Sequence, residues 1–294
     1  MPFDYETFAA ESLGRAKAQL AQFDPPKLSP LRKRIEESTI GVFVSCGAQL
    51  GVDPLLQHSE DTSFRLLHRD IPLSALTIRH PSHIRKWAEE DLNVAYPLDR
   101  LKELEAEGTF KRLAHTAISM VGAVQQFTKL MESTVPAMVH VYEAQGVDIV
   151  MLFPFCPGCH RTVGVIARGL EARGMPTTMP YLHWELAHAN KPPRTCFLDF
   201  PFGCPSGKPH EAEQQREILR TVLKLAPQFN PDHYEVKRLP FNWSADGSRA
   251  WEEELKSLYL NGGFAVKLAA EPAHAKLGES LVGREHEFSI KCNC

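Results

Sequence analysis

Two hydrophobic rhythms run along this chain, and the change from one to the other falls at a single place. Residues 149–155 form a continuous apolar run, entered through Gly146-Val147-Asp148, with the length of a buried strand. After it, Val163, Ile166, Ala167 and Leu170 recur at i, i+3, i+4 and i+7, the period of a helix that buries one face. The same reading gives a first core strand over 39–46, ending in Gly47, and short strands at 76–79 and 91–97. A helix opens at Leu98 and stops at Gly108, and a mostly helical stretch over 124–145 carries Pro136, which is expected to kink or split it. Further on come a glycine turn with a strand at 173–180, a strand at 195–200, a helix over 211–225 and another near 251–260. Residues 51–72 are polar and broken by prolines, and read as ordered loop.

Strands that alternate with helices predict an α/β fold: a predominantly parallel, doubly wound sheet of about five or six strands with helices on both faces. Three parts are expected. Residues 1–38 form an N-terminal helical arm, 39–226 the α/β core, and 227–294 a C-terminal packing segment ending in the tail Lys291-Cys292-Asn293-Cys294. No internal repeat is evident.

Composition narrows the function by exclusion. The 294 residues are 43% hydrophobic and 23% charged, ordinary globular values, and 33 basic against 36 acidic side chains leave a net charge of −3. Nucleic acid and anionic membrane surfaces are therefore not expected partners. The first residues lack a basic-then-apolar signal pattern and no run of about 18 apolar residues occurs, so a soluble, cytoplasmic protein is expected. Seven cysteines in such a chain suggest reduced thiols, functional or simply buried, more than a disulfide framework.

The candidate chemistry sits where the rhythm changes, at Cys156-Pro157-Gly158-Cys159-His160. A thiol at a helix N-terminus faces unpaired N–H groups and the positive end of the helix dipole, so Cys156 or Cys159 is expected to ionise more easily than a free thiol of pKa ~8.5. Four readings of the spacing stand: a redox or nucleophilic dithiol, which the strand-to-helix context favours, a metal half-site, an inert core pair, and covalent haem attachment, which normally accompanies export. Ligands of an open parallel sheet bind beyond the C-terminal strand ends, and that rule gathers Cys46, His80, Asp99, Cys156 and Cys204 at one edge. His83 follows His80 by three residues. The loop 201–209, with Ser206 and Lys208 before a helix, is a candidate anion site, although its spacing is not that of a P-loop.

The residues 156–171, the following Gly174-Met175-Pro176-Thr177, and three other segments resemble the glycine/sarcosine/betaine reductase selenoprotein B and D-proline reductase family. Those segments are Leu76-Thr77-Ile78-Arg79-His80-Pro81, residues 93–101, and Leu198-Asp199-Phe200-Pro201 leading to residues 211–220. The likeness covers roughly residues 40 to 225. It implies reductive cleavage of a carbon–nitrogen bond in a small amino acid or betaine. In selenocysteine-containing relatives the first position of the pair is the selenium residue, which the resemblance places at Cys156, where this chain has sulfur. The pyruvoyl and acyl-transfer subunits of the complete reductases are not part of this chain.

The expected division of labour makes Cys156 the nucleophile, Cys159 the resolving thiol, and one of His160, His80 and His83 the general acid or base, with packing or capping an equal reading of His160. Cys46, His80, His83, Asp99 and Cys204 are expected to face the substrate, and Arg69 or Arg79 is placed to hold a carboxylate, with a solvated surface arginine as the plainer reading. The expected partners are a small-molecule substrate and an external thiol reductant or electron-donor protein, and a homo-oligomer is open. No cofactor is expected. The competing class is a binding protein for zinc, copper(I), mercury or arsenic, in which Cys292 and Cys294 join Cys156 and Cys159 to give four sulfurs. A non-catalytic electron-shuttling subunit is a third reading.

Overall fold

The computed structural model describes residues 2–13, 20–57 and 60–262. Its strands, in chain order, are β1 (Thr39–Val44), β2 (Ala48–Leu50), β3 (Arg65–His68), β4 (Leu76–Ile78), β5 (Arg112–Leu113), β6 (Thr116–Ser119), β7 (Ile149–Phe153), β8 (Thr177–Tyr181), β9 (Thr195–Phe197) and β10 (Val236–Arg238). The helices are α1 (Tyr5–Leu13), α2 (Arg85–Glu90), α3 (Leu98–Ala106), α4 (Phe127–Lys129), α5 (Val135–Ala144), α6 (Pro157–Glu171), α7 (Trp184–Ala189), α8 (Ala212–Leu225) and α9 (Trp251–Gly262).

The two most apolar runs take the middle of the sheet. β1 and β7 are buried at every position and pair in parallel, from Ile40 against Ile149 to Val44 against Phe153. Outward from them the order is β10-β9-β8-β7-β1-β6-β3, with the short β5 also on β1. Every pairing in this sheet is parallel except that of the edge strand β3 with β6. Alternate residues of the central strands serve two cores. Ile40, Val42, Met151 and Phe153 join one apolar cluster, and Phe43, Val150 and Leu152 join the other. Both faces are therefore covered, as an α/β sheet with parallel crossovers requires.

Chain order reverses at the centre. From β1 the chain reaches β6 on one side, then crosses to β7, β8, β9 and β10 on the other. The loops leaving β1 and β7 thus diverge, and they open the crevice in which ligands of such sheets bind. β2 and β4 form a separate antiparallel ribbon beside this crevice.

Several local expectations change. Residues 91–97 are not a strand: the Asp91 carboxylate accepts the Asn93 N–H at 3.0 Å and caps a 3₁₀ turn over Leu92–Val94. The presumed loop 51–72 contains β3, and β6 supplies a strand that the pattern did not mark. The helix around Pro136 is broken by a π-helical turn over Leu130–Thr134 that runs directly into α5, the split that a proline without an N–H is expected to cause. Beyond residue 226, β10 extends the sheet.

Segments from both ends of the described chain meet over one side of the fold. Phe3 lies 5.2 Å from Trp251, Phe8 lies 6.0 Å from Tyr259, and Tyr5 lies 5.2 Å from Phe202. Among the described residues no helix is long and apolar enough to cross a membrane.

Candidate active site

The turn from β7 into α6 is built by the sequence Cys-Pro-Gly-Cys itself. Pro157 occupies the first turn of α6, where a fixed φ is an advantage, and Cys156 is the N-cap in extended conformation. Its Sγ accepts the Cys159 N–H at 3.1 Å, as a capping oxygen would. One turn on, Cys159 returns its own Sγ to 2.7 Å from that of Cys156.

The third member comes from the β2–β4 ribbon. His80, two residues past β4, places Nε2 3.2 Å from Cys159 Sγ, and its ring stands edge-on to Phe155 at 5.0 Å. The Ser82 N–H donates to His80 Nδ1 at 3.2 Å. A neutral imidazole has one donor and one acceptor nitrogen, so an accepting Nδ1 puts the proton on Nε2, aimed at the sulfur. The three groups are almost sealed: Cys156 is 6% exposed, His80 1% and Cys159 0%.

Their charges follow from these contacts. Burial alone would raise the Cys159 thiol, but the Cys156 thiol and His80 outweigh it and hold Cys159 well below the ordinary range. Burial, then the Cys159 sulfur, pushes Cys156 well above it. The pair therefore gives up one proton readily and keeps the second, and the resting charge lies on the inner sulfur beside His80.

Neighbouring backbone fixes the arrangement. Ser45 donates its hydroxyl to the Phe153 carbonyl at 3.1 Å and accepts the Phe155 N–H at 3.0 Å, tying the end of β1 to the end of β7. The Ser45 carbonyl accepts the Gly122 N–H at 3.2 Å and lies 3.7 Å from Cys159 Sγ. A Cβ on Gly122 would stand 2.5 Å from that sulfur, so only glycine fits. Ala123 beside it has φ of 60°, in the left-handed region, and packs against Gly158. On the other side, burial, then Tyr5 and Cys156, push the Tyr259 hydroxyl well above its usual range.

Comparison with known proteins gives two relatives. Over 221 residues, 75% of this chain, the sequence is 26% identical to D-proline reductase subunit gamma of Acetoanaerobium sticklandii, of which the match covers 91%. Over 217 residues, 69% of this chain, it is 23% identical to glycine reductase complex component B subunit gamma of Carboxydothermus hydrogenoformans, of which it covers 48%. The chain is related to the selenoprotein B and D-proline reductase family. No family model matches it, and no solved structure does.

In this reductase relative, the fold brings together three of the residues that the sequence singles out: Cys156, Cys159 and His80. Cys46 is fully buried behind them, paired by a β-bridge to Val121, and burial pushes its thiol up to about 12. His160 has both ring nitrogens committed. Nδ1 bonds the Cys156 carbonyl at 2.7 Å, Nε2 accepts the Leu182 N–H at 3.0 Å, and burial lowers its pKa well below the ordinary value. His83 lies on the turn into α2, outside the sulfur cluster, with Nε2 buried and without a hydrogen-bond partner. Asp99 begins α3 and accepts from Asn93 Nδ2 at 3.0 Å. Cys204 is fully buried and pushed well above the ordinary thiol range by burial.

The two candidate arginines differ. Arg69 is committed to Glu105 and to the Leu113 carbonyl, whereas Arg79 lines an open cleft. In the loop 201–209, Lys208 gives its N–H to Gln214 at 3.0 Å. Cys292 and Cys294 lie outside the described residues. Sequence reasoning did not mark Ser45, Ser82, Gly122, Ala123 or Tyr259. A glycine directly after the apolar run 117–121 was the one available signal, since it breaks a strand pattern at a close approach.

Proposed function

We propose that the chain is a dithiol reductase that cleaves a carbon–nitrogen bond in a small amino acid or betaine, with Cys156 and Cys159 as its redox pair. The observation that carries this reading is that Cys159 Sγ touches both Cys156 Sγ and His80 Nε2. Cys156 loses its proton only as its sulfur attacks, and Cys159 Sγ, 2.7 Å away, is the acceptor within reach at that moment. Names of the relatives support a reductase subunit that works with protein partners.

In the first step Cys156 sulfur attacks the carbon that bears nitrogen. The S–C bond forms, the C–N bond breaks, and the nitrogen leaves with the electron pair and takes the proton that Cys156 gave up to Cys159. In the second step Cys159 sulfur attacks Cys156 sulfur. The S–S bond forms, the S–C bond breaks, and carbon takes that electron pair and a proton from water. The substrate gains two electrons and the dithiol becomes a disulfide. An external dithiol or an electron-donor protein resets the pair by thiol–disulfide exchange. The tail cysteines Cys292 and Cys294 are candidates for that step by sequence.

The ligand atoms of His80, Cys156 and Cys159 lie within 4.8 Å of one another, a spacing that invites a soft metal. Two features weigh for the redox reading. A metal-bound histidine normally donates its second ring N–H to an acceptor, whereas His80 Nδ1 receives the Ser82 N–H. Two thiolates on one zinc, each bond about 2.3 Å, also stand well over 3 Å apart in tetrahedral geometry, against 2.7 Å here.

The test uses D-proline, glycine and betaine with Cys159→Ala and Cys156→Ala variants. Cys159→Ala should stall after the first step and carry a substrate-derived mass on Cys156, and Cys156→Ala should carry none. Multiple turnover by Cys156→Ala would overturn the assignment.

A further inference from the structure

Arg79 and His80 are consecutive, and they serve different surroundings. His80 turns to the buried sulfurs, while Arg79 lines a cleft of about 690 Å³ between β4, α2 and the turn that leads into α3. That volume suits a small ligand.

The charges inside the cleft are unevenly matched. Three of its four acids, all but Glu90, are occupied: Asp91 accepts the N–H groups of Asn93 and His210 and Gln215 Nε2, Asp99 accepts Asn93 Nδ2, and Glu89 pairs with Arg85 Nη2 at 2.5 Å. Its cations are only partly so, since Arg85 keeps one nitrogen outside its pair with Glu89. Arg79 Nε and Arg85 Nη1 are shielded from solvent and have no hydrogen-bond partner, and no carboxylate pairs with Arg79 among the described residues. A shielded donor left unbonded is costly, so two of them in one cleft indicate that an acceptor belongs there.

We infer that this cleft binds a small carboxylate, with Arg79 as the anchoring cation and Arg85 Nη1 as a second donor. A guanidinium edge of Nε and one Nη matches the two oxygens of a carboxylate, which lysine does not reproduce. Glu90 is exposed where it borders the cleft, which offers an ammonium group a place and favours a zwitterion. Arg79 precedes His80 in sequence, so the cleft and the sulfur site share the segment that leaves β4.

The experiment is calorimetric titration of the full chain with proline, betaine and acetate, with prolinamide and inorganic phosphate as controls. The carboxylates should bind saturably, and prolinamide and phosphate should not. Arg79→Gln should weaken proline binding about tenfold or more, the loss expected for a charge-assisted pair, and Arg79→Lys should recover part of it. Cys156→Ser should bind as the parent does, because anchoring does not use the sulfur. Thiol labelling and melting equal to the parent certify that Arg79→Gln is folded. Equal proline affinity in that folded variant, absence of saturable carboxylate binding, or preference for phosphate would overturn the inference. Carboxylate binding without any substrate adduct on Cys156 would instead refute the reductase reading and leave the cleft standing.

Discussion

His80 Nε2 lies 3.2 Å from Cys159 Sγ while its other nitrogen accepts the Ser82 N–H, so the imidazole presents a fixed proton to the inner sulfur of the pair. Removing it should make the first deprotonation of the dithiol harder. In His80→Ala the midpoint of iodoacetamide labelling against pH should rise by about 1–3 units. His80→Gln keeps an N–H donor and should fall between the two. An unshifted profile in His80→Ala would show that the contact does not stabilise the thiolate.

Gly122 tests the packing on the opposite side of Cys159. An added Cβ would meet Sγ at 2.5 Å, with its nearest alternatives also on Cys159, so the helix N-terminus must shift. Gly122→Ala should lower stability by about 1–3 kcal/mol and should separate the sulfurs. Chemical denaturation reads the first effect and the rate of disulfide formation reads the second. The same substitution at Gly108, where nothing lies within 4 Å but φ is +76°, should leave disulfide formation unchanged.

Glu171 at the end of α6 is a buried carboxylate that joins three segments. It accepts the Ser29 N–H at 2.5 Å and the Thr177 N–H at 2.7 Å, and it pairs with buried Arg194. Burial raises its pKa against the pull of Arg194. Glu171→Ala leaves the guanidinium uncompensated and should destabilise the fold by about 3–5 kcal/mol. A loss under 1 kcal/mol in urea denaturation would show that the network is not fully formed.

Stability should depend on pH through two buried histidines of opposite sign. Burial opposes charge on His183, but Glu185 at 2.9 Å and Glu6 at 3.6 Å outweigh it and raise its pKa. A raised histidine stabilises fully below its unfolded value of about 6.5, and that contribution is lost as pH rises through the folded value. His160 is lowered by burial, so its contribution is present above about 6.5 and is lost as pH falls toward its folded value. Glu6→Gln removes one partner of charged His183 and should destabilise by about 1–3 kcal/mol at pH 6, and by less at pH 9. A larger loss at pH 9 would reverse the assignment.

The strand, the dithiol and the helix behind it were legible because a change of hydrophobic period is a local signal. Partners of the dithiol were legible only as a set. The rule about strand ends placed Cys46, His80 and Cys156 at one edge, but it could not select His80, which reaches Cys159 across 79 positions of sequence. Asp99 entered that set because 92–96 is apolar enough to pass for a strand, whereas Asp91 caps a turn there. β3 escaped notice because it starts with Arg65, a 1% exposed arginine whose guanidinium bonds the Pro54 carbonyl, so its charge contradicts its burial. The loop holding Gly122 and Ala123 matters through a close approach in space, which no periodicity records.

The central claim is that Cys156 and Cys159 cycle as a single two-electron couple. Equilibrating the chain in mixtures of reduced and oxidised dithiothreitol, quenching with acid and counting alkylated thiols by peptide mass measures this directly. The account predicts that labels on Cys156 and Cys159 disappear together along one two-electron curve, while Cys46, Cys196 and Cys204, buried and unpaired as disulfides, keep theirs at every potential. Labels that persist on Cys156 and Cys159 throughout, or that vanish at separate potentials, would contradict it.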